Sequence, residues 1–194
     1  IPAVIEAWEP GGFGGQALAE IIYGKVNPSA KLPITIPRHV GQVQQYYNHK
    51  PSMYFHPYTI GPSNPLYPFG FGLSYTTYSY NNLKLSKETI GRNETVTVSV
   101  EVTNTGRRDG EEIVQLYIRD EFSSATRPVK ELKDFRRVVL KPGETKAVEF
   151  ELPTEKLAFY DRDMKWVVEP GNFKIMVGAS SLDKDLKTVN LLVK

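Results

Sequence analysis

Pro65-Leu66-Tyr67-Pro68-Phe69-Gly70-Phe71-Gly72-Leu73-Ser74-Tyr75 holds four aromatics, two prolines and two glycines, and no charge. Each proline fixes φ and lacks an N–H, so the stretch is neither a helix interior nor a central strand. Its glycines let the backbone turn where a Cβ would collide. A flexible linker would be polar or rich in Gly and Ser, and this stretch is neither. Composition admits two readings: an aromatic cap on one core, or a packed connector between two bodies.

The flanks favour the connector. Most of the 15 glycines and 14 prolines lie before Tyr75. Before it, Ala3-Val4-Ile5-Glu6-Ala7-Trp8 reads as a short buried strand. Gln16 to Tyr23 reads as a short helix with Ala17, Leu18, Ile21 and Ile22 on one face and Gly24 at its end. Lys31-Leu32-Pro33-Ile34-Thr35-Ile36-Pro37 reads as an extended edge segment. One strand–helix–strand unit cannot cover both its faces, which implies that more of an α/β body belongs in front of it. His39 to Asn64 is irregular and aromatic, a length of loop that is uncommon unless it functions or packs.

After Leu83 the period is two. Val96, Val98, Val100 and Val102 form one inward row, and Val114, Leu116 and Ile118 another. Further strand regions follow at Glu131–Leu140, around Phe150, around Asp161-Arg162-Asp163 as a hairpin, at Phe173–Val177 and at Val189–Val193. About seven short strands at this spacing predict a β-sandwich of immunoglobulin or fibronectin type III kind. The acids of this region alternate with apolar residues, which predicts a solvated acidic face. The expected fold is therefore an α/β remnant followed by an all-β sandwich. The domain limits read as 1–38 for the remnant, 39–74 for the connector and 75–194 for the sandwich.

Charge and composition narrow the function. A net charge of +2 is too small to imply nucleic acid. No apolar run reaches the length of a membrane span. With no cysteine there is no thiolate chemistry and no cysteine-built metal site. His39, His49 and His56 fit no zinc spacing, so no metal is expected. Gly12-Phe13-Gly14-Gly15-Gln16-Ala17 matches a dinucleotide fingerprint formally, yet no Asp or Glu lies between Glu20 and Glu88 to hold a ribose, and no cofactor is expected. The same gap leaves only Glu6, Glu9 and Glu20 near the N-terminus for two-carboxylate chemistry, and Glu9, beside Trp8, is the one site candidate. Trp8, Tyr47, Tyr54, Phe55 and Tyr58 suit stacking on a sugar ring or sealing an interface.

Motifs then add what composition cannot. Ala7-Trp8-Glu9-Pro10-Gly11, Gly14-Gly15-Gln16-Ala17-Leu18-Ala19-Glu20-Ile21-Ile22-Tyr23-Gly24 and Asn27-Pro28-Ser29-Ala30-Lys31-Leu32-Pro33 resemble the end of the second domain of glycoside hydrolase family 3. Tyr46-Tyr47-Asn48-His49-Lys50, the Leu66–Tyr75 run, Arg127-Pro128-Val129-Lys130-Glu131-Leu132-Lys133 and Leu140-Lys141-Pro142-Gly143-Glu144-Thr145 continue the resemblance in order, which is strongest to the periplasmic β-glucosidase branch. It implies a retaining enzyme whose barrel carries an aspartate nucleophile and whose α/β domain carries a glutamate acid/base, both upstream of Ile1. It further implies a fibronectin type III-like third domain, a β-linked oligosaccharide or glucoside as substrate, and a periplasmic or secreted location. No catalytic residue is assigned within this chain. Tyr54, Phe55 and His56 are the residues expected to reach the sugar cleft, although the loop between Lys50 and Pro65 is shorter than the family's and lacks its Ser-Arg-Tyr-like motif. The alternative is a non-catalytic carbohydrate-binding or adhesion module.

Overall fold

The computed structural model describes residues 3–43, 45–51 and 61–194. Alternating valines make its centre. In β3 (Thr95–Asn104) Val96, Val98, Val100 and Val102 are fully buried while their neighbours are less so. A strand's side chains alternate between faces, so this row lines one side of a sheet. Each buried valine stabilises the fold by roughly 1.5–3 kcal/mol relative to exposure. β3 pairs antiparallel with β1 (Tyr78–Leu85) and with β6 (Thr145–Pro153), giving a three-stranded sheet.

Facing it is a five-stranded sheet in the order β2-β10-β9-β4-β5. Its strands are β2 (Thr89–Ile90), β4 (Gly110–Asp120), β5 (Glu131–Leu140), β9 (Gly171–Gly178) and β10 (Leu186–Val193). All its pairs are antiparallel except β2 with β10. Val114, Leu116 and Ile118 of β4, Phe150 of β6, Phe173 and Ile175 of β9 and Leu191 of β10 meet the valines of β3 in one core. A two-stranded hairpin, β7 (Phe159–Tyr160) with β8 (Trp166–Val167), stands at one end.

The region before Tyr78 differs from its sequence reading in detail. The helix is present as α1 (Gly14–Ile22). The expected strands at 3–8 and 31–37 build no ladder among the described residues: Trp8 has φ of +49° and Pro33 and Ile34 lie in a bend, and Val4, Ile5 and Trp8 are exposed rather than buried because nothing described packs over them. Residues 31–37 lie instead along the connector. Leu32 N–H donates to Phe71 O at 2.8 Å, Gly70 N–H to Leu32 O at 2.8 Å, and Ile36 N–H to Tyr67 O at 2.9 Å. Only Ile36 and Tyr67 form a β-bridge among the described residues. Pro33, Pro37, Pro65 and Pro68 withhold donors along both segments, so bonds form in isolated places rather than as a strand pair.

The expected solvated acidic face holds for Glu149 and Glu151, exposed between the buried residues of β6, and is corrected at two positions of β4. Glu112 and Asp120 are 2% and 7% exposed. Both sit in the inward row of β4, at either end of Val114, Leu116 and Ile118, where strand alternation aims them toward protein rather than water.

Candidate functional site

β4 is buried on both faces in its middle, which an ordinary sandwich strand is not. The outward residues Gln115 and Tyr117 are covered by the connector and the segment before it. Tyr47 stacks on Phe69 with ring centroids 4.3 Å apart and meets Tyr117 edge-on at 5.8 Å. Tyr47 Oη accepts from Leu132 N–H at 3.3 Å, and His49 O accepts from Val129 N–H at 2.9 Å. Gln115 Nε2 donates to Gly70 O at 3.1 Å and to Ala179 O at 2.7 Å, while Tyr117 Oη donates to Gln115 Oε1 at 2.5 Å. Burial pushes the phenols of Tyr47 and Tyr117 up from their ordinary values, so both remain neutral hydrogen-bonding groups.

Two glycines let the backbone come this close. Gly70 has φ of +78°, and a Cβ there would lie 2.1 Å from Gln115 Oε1. A Cβ on Gly72 would lie 2.4 Å from Ala30 O.

A second lock is ionic. Lys31 Nζ lies 3.1 Å from Glu112 Oε2, with side-chain exposures of 12% and 2%. Tyr80 Oη donates to Glu112 Oε1 at 2.7 Å. Burial, with the Glu112 carboxylate beside it, pushes the Tyr80 phenol well up. Asn27 closes the same junction: its Oδ1 accepts from Ser74 Oγ at 2.8 Å and from Tyr75 N–H at 2.7 Å.

The Arg127–Lys133 motif is a third anchor. Arg127 is buried, its guanidinium lies 4.5 Å over the Phe159 ring, and it reaches Glu131 Oε1 at 2.5 Å and Asp120 Oδ2 at 3.7 Å. Lys130 Nζ donates to Ser181 O at 2.7 Å and pairs with Asp183. Burial raises the Glu131 carboxyl, but Arg127 and Lys133 outweigh it and hold the group below its ordinary value. Burial raises Asp120, and the Arg127 charge with a hydrogen bond from the Phe122 backbone only partly offsets it.

Between the connector and the five-stranded sheet lies a cavity of about 580 Å³, lined by Tyr46, Tyr47, Asn64, Arg119, Lys130 and Asp183 among others. Its volume suits a small-molecule ligand. Asp183 is the carboxylate among the described lining residues, and it is spoken for by Lys130, so the cavity offers binding groups and no free acid–base pair. Glu9 is exposed on the N-terminal segment, as is Trp8, so neither is brought to this cavity. The expected sugar contacts Tyr54, Phe55 and His56 lie outside the described residues, as does Tyr58. Reasoning from sequence missed Glu112, Gln115 and Asp120. The signal was present for the two acids, which occupy the apolar row of β4. For Gln115 there was none, because its role depends on a segment remote in sequence.

Family models match both parts of the chain. The glycosyl hydrolase family 3 C-terminal domain matches residues 1–75, and the fibronectin type III-like domain matches residues 112–181. A β-xylosidase of Formosa agariphila is 50% identical over 197 residues, covering 100% of this chain and 27% of that protein. A periplasmic β-glucosidase of Salmonella typhimurium is 46% identical, covering 92% of this chain and 25% of that protein. Among solved structures, a β-glucosidase from Erythrobacter marinus superposes with a TM-score of 0.88 at 46% identity, over 93% of this chain and 24% of that one. The chain thus spans about a quarter of the length of the relatives it matches. Its two matched segments, in this order and at these identities, place it in glycosyl hydrolase family 3, of which it carries a segment of the C-terminal domain followed by the fibronectin type III-like domain.

Proposed function

We propose that this chain is the C-terminal portion of an exo-acting retaining β-glycosidase of β-glucosidase type. The substrate would be a terminal β-linked sugar, released through a covalent glycosyl-enzyme intermediate with both carboxylates supplied from elsewhere in the protein. Residues 1–38 would close an α/β body, residues 39–74 would connect, and residues 75–194 would form the supporting sandwich. The observation that carries this reading is the triple lock. Lys31–Glu112, Gly70–Gln115 and Tyr47–Phe69–Tyr117 hold the family 3 segment rigidly on the sandwich, as a positioning scaffold requires.

Two further features support it. Val4, Ile5, Trp8, Phe13, Ile22 and Tyr23 are exposed on the N-terminal segment, an apolar surface of the kind a neighbouring domain covers. The names of the relatives, β-glucosidases and β-xylosidases, supply the sugar class, and one of them is periplasmic, which favours a periplasmic or secreted setting. Tyr54, Phe55 and His56 are proposed as the part of the chain that reaches the sugar.

The test is direct. Purified residues 1–194 should not hydrolyse an aryl β-glucoside, and the complete protein should. Turnover by the isolated chain would overturn the assignment of both carboxylates to other parts of the protein. In the complete protein, Tyr54→Ala with Phe55→Ala should raise KM, and unchanged kinetics would leave this loop a packing role only.

A further inference from the structure

The outer face of the five-stranded sheet carries an unbalanced charge under the connector. Arg119 of β4 and Lys174 of β9 are register partners, so two cations stand directly opposite one another on neighbouring strands. Like charges in that position repel. Strand alternation puts both on the face that also holds Tyr117 and Met176, which are register partners in the same two strands. Both cations line the cavity of about 580 Å³ between that face and the connector. Lys174 Nζ has Glu121 Oε1 at 2.9 Å, and Lys130, the third fixed cation of the lining, is paired with Asp183. Arg119 has no carboxylate and no hydrogen-bond acceptor for its guanidinium among the described residues. Arg119, Lys130 and Lys174 against Glu121 and Asp183 leave one positive charge uncompensated.

Apolar groups stand next to that charge. Met176, on the strand that carries Lys174, lines the sheet side of the cavity, and Tyr46, Pro65 and Pro68 line the connector side. Thr35 Oγ1 is shielded from solvent and has no hydrogen-bond partner among the described residues, and Thr35 belongs to the same lining. A buried hydroxyl in that state costs stability until a ligand atom meets it. These features choose among ligand classes. A neutral ligand leaves Arg119 unpaired. A dianion such as phosphate overcompensates a single charge and leaves the apolar walls uncovered. A monoanion with a flat apolar body satisfies both, because a guanidinium fork holds a carboxylate with two parallel N–H bonds while a ring packs on aromatic and apolar walls. We propose that this cavity binds a small aromatic monocarboxylate, with Arg119 taking the carboxylate beside Lys174 and with Tyr46 and Met176 holding the ring. Its walls come from both the connector and the sheet, so a bound ligand braces one against the other. The site goes beyond the glycosidase reading and does not rest on it.

The experiment is a calorimetric titration of the complete protein with three probes: cinnamate, its neutral amide cinnamamide, and acetate. Cinnamate should bind with a Kd of about 1 mM or tighter. Cinnamamide lacks the charge and acetate lacks the ring, so each should bind about tenfold more weakly or worse. Arg119→Gln should weaken cinnamate binding by about tenfold or more. Without ligand the same variant should melt no lower than wild type, because it removes the repulsion with Lys174. Tyr46→Ala, at a half-exposed position, is the second variant and should weaken binding by about fivefold. Lys141→Gln, in the exposed turn between β5 and β6, should leave the affinity unchanged. Absence of cinnamate binding, equal binding of cinnamamide or of acetate, or full affinity in both Arg119→Gln and Tyr46→Ala would each overturn the proposal.

Discussion

At Gly70 a single hydrogen atom permits the whole junction. With φ at +78° and the Cβ position 2.1 Å from Gln115 Oε1, alanine meets both backbone strain and a collision. Gly70→Ala should cost about 2–4 kcal/mol in urea unfolding. A loss below 1 kcal/mol would mean that Gln115 can move aside freely. Glu131 carries a pH signature. Its folded pKa lies below the ordinary carboxylate value because Arg127 and Lys133 outweigh burial. A depressed acid contributes stability above its unfolded pKa, about 4.3, and loses it as pH falls through the folded value. Wild type should therefore exceed Glu131→Gln in stability near neutral pH, with the gap closing only below about pH 4. A gap that is constant across this range would show that the two bases do not act on the ionised form. At this scale the sequence was half legible. Glu112 and Asp120 stand in an apolar row and could be placed inside by period alone, whereas the roles of Gln115 and Arg127 required knowing what lies above them.

Among the elements, β4 is the one to which everything attaches. Its inward row fills the core, its outer face holds Tyr117 and Gln115 under the connector, and Glu112 receives Lys31. Removing one partner of a buried ion pair leaves an uncompensated charge. Lys31→Met should thus cost about 3–5 kcal/mol. The double variant Lys31→Met with Glu112→Gln should recover more than half of that, since Gln can still accept from Tyr80; a double variant no more stable than the single would assign the loss to Lys31 packing instead. Tyr47→Ala should cost about 1–3 kcal/mol through the two ring contacts it makes. Hydrogen exchange at Leu132, whose N–H donates to Tyr47 Oη, should accelerate in the same variant. The strands of the sandwich were legible because alternation over ten residues is a strong signal, as in β3. The two expected strands before Tyr75 were not, because a strand is defined by its neighbour, and prolines on both sides of the 31–37 and 65–68 pairing limit it to scattered bonds.

For the molecule as a whole, stability is uneven. The sandwich and the clamped connector share hydrogen bonds and buried contacts, while residues 3–26 expose apolar side chains with little to cover them. Local opening follows that difference. Brief chymotrypsin treatment should cut first at Trp8, Phe13 or Tyr23 among the described residues, and should spare Tyr67, Phe69 and Phe71. Early cleavage at Phe69 or Phe71 would show that the connector is not held as its contacts require. In the complete protein the same N-terminal sites should become resistant if another domain covers them.

The chain's order of residues determined the sandwich and the family, because period-two valine rows and ordered motifs are properties of the sequence itself. Only the tertiary structure decided what the Pro65–Tyr75 stretch packs against. Its aromatics and glycines are compatible with many partners. The partners it takes are Tyr47 for Phe69, Gln115 for Gly70, and Leu32 for Phe71. Those partners are distant in sequence, and a contact between remote segments is settled by how the backbone brings them together, not by the pattern of either segment alone.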